Sequence, residues 1–112
     1  MKKDELILAD FQKTDLRVGK VVEAEAVEGS KNLLRLKVNL GYDYGVRQII
    51  SGIARWYKPE ELRDKKFIFV ANLEGKKLMG EESKGMIVCA DYDHTAVLVP
   101  VDDNIPEGTI LR

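Results

Sequence analysis

The sequence predicts an all-β fold with a short helix: five strands closed into a small barrel, followed by a C-terminal extension. Three observations predict it. Apolar residues recur at every second position through much of the chain, the period of half-buried strands. Glycines and prolines interrupt that alternation at hairpin spacing. One helix-start signature falls between the third and fourth strand patterns. Closure also removes the unpaired edges that so small a sheet would otherwise expose. An open α+β sheet is the competing architecture.

The elements follow in order. Residues 4–9 suit a helical turn, with Leu6, Ile7 and Phe11 as an apolar anchor. Leu16, Val18, Val22, Ala24 and Ala26 share one parity of a first strand against Arg17, Glu23 and Glu25, with a break at Lys20 and Val21. Leu34, Leu36, Val38 and Leu40 alternate cleanly with Arg35, Lys37 and Asn39. Gly41-Tyr42-Asp43-Tyr44-Gly45 reads as a hairpin connection. Val46 to Ser51 is the third strand, of ambiguous parity because Ile49 and Ile50 are adjacent, and Gly52 ends it. Pro59-Glu60-Glu61-Leu62-Arg63 puts proline and acids in the first turn of a helix of about two turns. Lys66 to Ala71 is an apolar run fit for a strand buried on both faces. Asn72 to Gly85, rich in glycine and charge, reads as a long loop. Gly85–Ala90 and Thr95–Val99 flank Asp91-Tyr92-Asp93-His94 as another hairpin, and Pro100 and Pro106 punctuate the tail. Strands in this order, with a helix after the third, are those of an oligonucleotide/oligosaccharide-binding barrel.

Composition narrows the function. A chain of 112 residues, 45% hydrophobic and 33% charged, suits one domain over residues 1–112. No apolar run reaches membrane-spanning length, and the start MKKDELILAD turns acidic too soon for a signal peptide, so no membrane association is expected. Cys89 is the single cysteine, which excludes an internal disulfide and a cysteine-based zinc cluster. It lies in an apolar strand as a core residue. His94 is the single histidine, so a serine nucleophile has one conceivable base, and no G-x-S-x-G frames Ser51 or Ser83. Gly80 to Gly85 has the glycine spacing of a phosphate loop without its lysine and hydroxyl. Asp91, Asp93 and His94 could hold a metal, but polar residues in a solvated turn are the plainer reading. Asp102-Asp103-Asn104 reads as a turn in the same way. No catalysis and no cofactor are expected.

Binding fits better. The net charge of −1 averages two unlike regions. Residues 29–58 hold Lys31, Arg35, Lys37, Arg47, Arg55 and Lys58 against Asp43 alone, whereas residues 86–112 hold five acids against Arg112. Such segregation can make one basic face on a near-neutral protein. In a barrel of this kind the second and third strands present their outer face to the ligand. If Leu34, Leu36 and Val38 point inward, Arg35 and Lys37 point outward. Arg47 joins them if Ile50 rather than Ile49 is buried. Such a cluster could neutralise phosphates, or simply solubilise a half-exposed hairpin. Lys76 and Lys77, between glycines, are a second candidate. Trp56 and Tyr57 either stack bases or cap the barrel beside the helix, and capping is the preferred reading.

Five segments, in order, resemble a known family: Asp15-Leu16-Arg17-Val18-Gly19-Lys20, Gly29-Ser30-Lys31-Asn32-Leu33-Leu34, Ser51-Gly52-Ile53-Ala54, Val70-Ala71-Asn72-Leu73 and Lys76 to Met86. The chain is similar over about residues 10–112 to the tRNA-binding domain found at the C-terminus of many methionyl-tRNA synthetases and as free-standing dimeric tRNA-binding proteins. The resemblance implies a non-catalytic, cytoplasmic module that binds tRNA by shape, as a homodimer, with an aminoacyl-tRNA synthetase as a possible partner. It also implies contacts from Lys31, Asn32, Ser51, Asn72, Lys76, Lys77 and Ser83. The first hairpin departs from the pattern of many members, reading Glu28-Gly29-Ser30-Lys31-Asn32 before the paired leucines. The alternative is a dimeric export chaperone of the same fold that holds unfolded peptides, whose ligand groove would be apolar rather than basic.

Overall fold

The computed structural model describes residues 1–112. Its elements are α1 (Leu8–Phe11), β1 (Leu16–Ala26), β2 (Leu34–Asn39), β3 (Val46–Ser51), a 3-10 turn (Pro59–Glu61), β4 (Lys66–Val70), β5 (Lys76–Leu78), β6 (Glu81–Ser83), β7 (Met86–Ile87), β8 (Ala90–Tyr92), β9 (Thr95–Val97) and β10 (Ile110–Leu111). Strands β3-β2-β1-β4-β7 form an antiparallel sheet in that order. Its two edges approach each other where Lys84 N donates to Gln48 O at 2.9 Å, which nearly closes the expected five-stranded barrel.

β1 makes closure possible. It pairs with β4 over residues 16–20 and with β2 over residues 20–26, so it bends while changing partners. Gly19 sits at the bend. A Cβ there would lie 2.6 Å from both the Phe69 ring and the Val38 side chain, so only glycine lets the strands approach this closely. A bulge between Val21 and Glu23 adds one residue on the β1 side. It also corrects the predicted parity. Val21 and Ala24, three apart, both join the core while Val22 is exposed, because one extra residue reverses side-chain direction beyond it. Val18, of opposite parity to Gly19 and Val21, is buried outside that cluster.

Leu34, Leu36, Val38 and Leu40 point inward as their alternation predicts, and meet Ile49, Phe67, Phe69 and Ile87 in the core. The expected helix after β3 is shorter than its signature suggested. Pro59–Glu61 makes a single 3-10 turn, in which the Glu61 carboxylate accepts from Lys58 N at 3.3 Å. Leu62 then plugs the barrel end, fully buried. Trp56 and Tyr57 pack beside it, with the Tyr57 hydroxyl accepting from Leu98 N at 3.2 Å, as the capping reading predicts.

Residues 72–85 are not a plain loop. β5 and β6 form a hairpin turned by Met79 (φ 50°) and Gly80 (φ 79°). Positive φ at both central residues is the mirror-image turn that matches strand twist. The sequence concealed it because its strands carry lysines and glutamates on an exposed ribbon, without apolar alternation. The later hairpin is tighter than predicted, with β8 and β9 joined by Asp93 (φ 52°) and His94 (φ 58°) alone. Asp102-Asp103-Asn104 is the expected turn, where the Asp102 carboxylate accepts from Asn104 N at 2.8 Å. The tail then returns along the barrel, and β10 pairs with the start of β1. The predicted N-terminal anchor differs: the helical turn begins at Leu8, and Leu6, Ile7 and Leu8 remain 63%, 67% and 67% exposed in the single chain.

Candidate nucleic-acid interface

On the outer side of β2, Arg35, Lys37 and Asn39 stand between the buried positions. Lys37 lies opposite Gln48 of β3, and its Nζ donates to Gln48 Oε1 at 3.0 Å. Arg35 lies opposite Ile50 on one side and Glu25 of β1 on the other. Its guanidinium pairs with Glu25 at 2.6 Å and also with Glu81 of β6. Those two carboxylates hold Arg35 more firmly protonated than usual and occupy its donors. Arg35 therefore fastens the β5–β6 hairpin to the sheet.

The register corrects the expectation for Arg47. Ile49 lies opposite Leu36 in the core, and Ile50 is buried too, beneath the hairpin on the outer side. Arg47 lies opposite Val38, with inward parity, at the mouth of the barrel. Its guanidinium stacks 4.8 Å from the Tyr44 ring centroid, and its Nη1 donates to Ala71 O at 3.4 Å. The β3 side chain that joins Lys37 on the outer face is Gln48, whose amide also donates to Glu82 O at 2.9 Å.

Other predicted positions divide by whether they are free. Lys31 and Asn32 are exposed on the turn after β1, shaped by Ser30 Oγ, which accepts from Asn32 N and Leu33 N at 3.2 Å each. Asn32 O accepts from Ala54 N at 2.9 Å, which ties this turn to the segment after β3, and half-buried Ser51 lies opposite Leu34 there. Lys76 and Lys77 are exposed on β5, with no carboxylate at ion-pair distance. Ser83 is 5% exposed. Its hydroxyl accepts from Ile50 N at 3.0 Å and donates to Gly85 O at 3.1 Å, so it seats the hairpin on β3. Asn72 clamps the lead-in, accepting from Asp15 N at 2.8 Å and donating to Lys13 O at 2.7 Å. The hairpin thus brings Lys76 and Lys77 to the side bearing Arg35 and Lys37, whereas Arg47 and Asn72 lie at the barrel mouth.

A polar cluster at that mouth has no counterpart in the sequence reading. Arg17 is bound by Asp15 at 2.8 and 3.1 Å and by Asp43 at 3.1 and 3.0 Å. Tyr44 donates to Asp15 at 2.6 Å, and Arg17 stacks 4.9 Å from its ring, on which Arg47 also stacks. The Arg17 hydrogen bonds hold both aspartates below the ordinary carboxylate range, and the bond to Asp15 pushes the Tyr44 hydroxyl up. Only the spacing of Asp15 and Arg17, two apart on one strand face, signalled this pairing in the sequence.

Comparison with known proteins bears on what this surface does. The family model described as "Putative tRNA binding domain" matches residues 16–110. A methionine–tRNA ligase of Clostridium tetani is 49% identical over 112 residues, covering 98% of this chain and 17% of the ligase. The chain thus spans a small part of the curated relatives it matches. Among solved structures, a MetRS-related protein from Pyrococcus horikoshii superposes with a TM-score of 0.92 at 38% identity, covering 98% of this chain and 100% of the other. The chaperone CsaA from Bacillus anthracis superposes with a TM-score of 0.84 at 26% identity, covering 97% and 100%. The matched family is one of binding domains, in agreement with the reading of a module that catalyses no reaction. With its nearly closed barrel and a match over residues 16–110, this chain belongs to the tRNA-binding domain family.

Proposed function

We propose that this chain binds tRNA by shape through the outer side of β2 and β3, bordered by the Lys31–Asn32 turn and the β5–β6 hairpin. One observation carries the placement: Lys31, Lys37, Lys76 and Lys77 surround this side with no carboxylate at ion-pair distance. Unpaired cations around a sheet face suit a phosphate backbone, and Gln48 and Asn32 add hydrogen-bonding groups for bases or sugars. Ser51 borders the same face. Ser83 and Arg35 support the hairpin, and Asn72 supports the lead-in.

The module acts in the cytoplasm, joined to or associated with an aminoacyl-tRNA synthetase, and raises the local tRNA concentration there. It works as a homodimer. Support for the dimer is the exposed row Leu6, Ile7, Leu8 and Phe11, with Ile110 nearby across a hollow of 470 Å³. Filter binding of bulk tRNA across a salt series tests the central reading. Binding that is strong at low salt and weakens steeply as salt is added is expected, and no binding at low salt sinks the reading. Reversing Lys76 and Lys77 to glutamate is expected to weaken binding at least about tenfold at an unchanged melting temperature.

Similarity to CsaA favours a second reading, capture of unfolded peptides. A crevice of 220 Å³ lined by Ile50, Leu73, Leu78 and Met86, and edged by Glu74 and Lys76, is the candidate groove for it. Suppression of aggregation of an unfolded test protein, without a tRNA shift, would reverse the order of the two readings.

A further inference from the structure

Arg47 is set apart from the other arginines of the barrel wall. Arg17 and Arg35 each hold two carboxylates, whereas Arg47 holds none. Stacking on Tyr44 fixes the plane of its guanidinium, and the one hydrogen bond it makes, to Ala71 O, is long at 3.4 Å. Most of its donors remain free. They border an open hollow of 390 Å³ lined by Tyr44, Val46, Arg47, Gln48, Glu82 and Lys84. Lys84 is the second cation of this hollow. Its only carboxylate partner, Glu82, is 3.5 Å away in a half-exposed pair of the kind that contributes little and yields readily.

We propose that Arg47 and Lys84 form a phosphate subsite in this hollow, which takes a phosphodiester of the RNA bound across β2 and β3. The inference rests on the tRNA-binding reading and adds a contact at the mouth of the barrel. A guanidinium held in plane offers a fork of donors that matches phosphate oxygens, and its order is set before the ligand arrives. Tyr44 is the positioning residue. Its hydroxyl is held by Asp15 and its ring also by Arg17, which Asp15 and Asp43 fix in turn. Gln48, bonded to Lys37, links the hollow to the outer face, so one RNA strand can follow the row from Lys37 to Arg47.

The competing account is purely structural. Arg17 with its two aspartates leaves one excess negative charge, which Arg47 would balance. Salt-dependent filter binding of tRNA separates the two, with a thermal melt on each variant. Arg47→Ala and Lys84→Ala are each expected to lower the slope of log K against log salt by about one, and to weaken low-salt binding about tenfold. Arg47→Lys keeps the slope but loses affinity, because the stacked fork is gone. Tyr44→Leu loses affinity, and Tyr44→Phe, which keeps the stacking ring but gives up the hydroxyl bond to Asp15, loses less. Lys65→Ala, on the face with Asp102 and Asp103, leaves the slope unchanged. Should the parent bind while Arg47→Ala and Lys84→Ala keep its slope, the subsite is wrong, and a lowered melting temperature for Arg47→Ala alone would establish the charge-balance account. A parent that binds no tRNA overturns the underlying reading instead.

Discussion

Gly19 shows how much one residue can govern here. Its absent Cβ would stand 2.6 Å from Val38 and the Phe69 ring, two buried side chains with nowhere to move. Gly19→Ala is expected to cost about 1–3 kcal/mol, as overpacking does, measured by urea unfolding at constant m-value. The aspartates around Arg17 carry a pH dependence. Their folded pKa values are depressed, so their contribution is fully present above the unfolded value of about 4 and is lost as pH falls through the folded values. The parent should therefore lose stability on acidification below about pH 4, and Asp15→Asn should flatten that acid limb in urea midpoints taken across pH. An acid limb of equal steepness in both proteins would show that Asp15 does not titrate in this way.

Among the elements, the β5–β6 hairpin links the fold to the proposed tRNA surface most directly. It carries Lys76 and Lys77 and is seated by Ser83 on Ile50 N and by Glu81 on Arg35. Its turn holds a non-glycine residue, Met79, at φ 50°. Met79→Asn creates the Asn-Gly pair that this turn prefers, and is expected to stabilise by about 1 kcal/mol in thermal melts with tRNA affinity maintained. Gly80→Val, at φ 79°, should instead unseat the hairpin and weaken tRNA binding more than it lowers stability. β4 supplies the contrasting case. Phe67 and Phe69 are 2% and 0% exposed, so Phe69→Ala is expected to cost about 3–5 kcal/mol by unfolding, whatever RNA does.

For the whole molecule, the surface is divided. Unpaired lysines border β2 and β3, and residues 86–112 hold five acids against Arg112 alone, so a net charge of −1 is compatible with a localised basic side. The exposed apolar lead-in belongs to this scale too, since nothing in a single copy covers Leu6, Ile7 and Leu8. Sedimentation is expected to show a dimer for the full chain and a monomer once residues 1–10 are removed. A monomer in both cases would remove the dimer from the proposed function.

Alternation in Leu34, Leu36, Val38 and Leu40 determined β2 and its outward cations, because a strand with one buried face writes its orientation into every second residue. The ordered segments from Asp15 to Met86 determined the family. Tertiary structure decided what local pattern could not express. The β1 bulge reversed the faces of Val21 and Val22, and two adjacent isoleucines were both buried, one by the core and one by a hairpin. The burial of Ile49 in the core turned Arg47, two residues before it, to the barrel mouth rather than to the outer face beside Lys37. Tertiary structure also decided which cations are free. Pairing depends on which carboxylates the fold brings within a few ångströms, and Arg35 meets Glu81 across 46 residues of chain, a separation that no local spacing rule records.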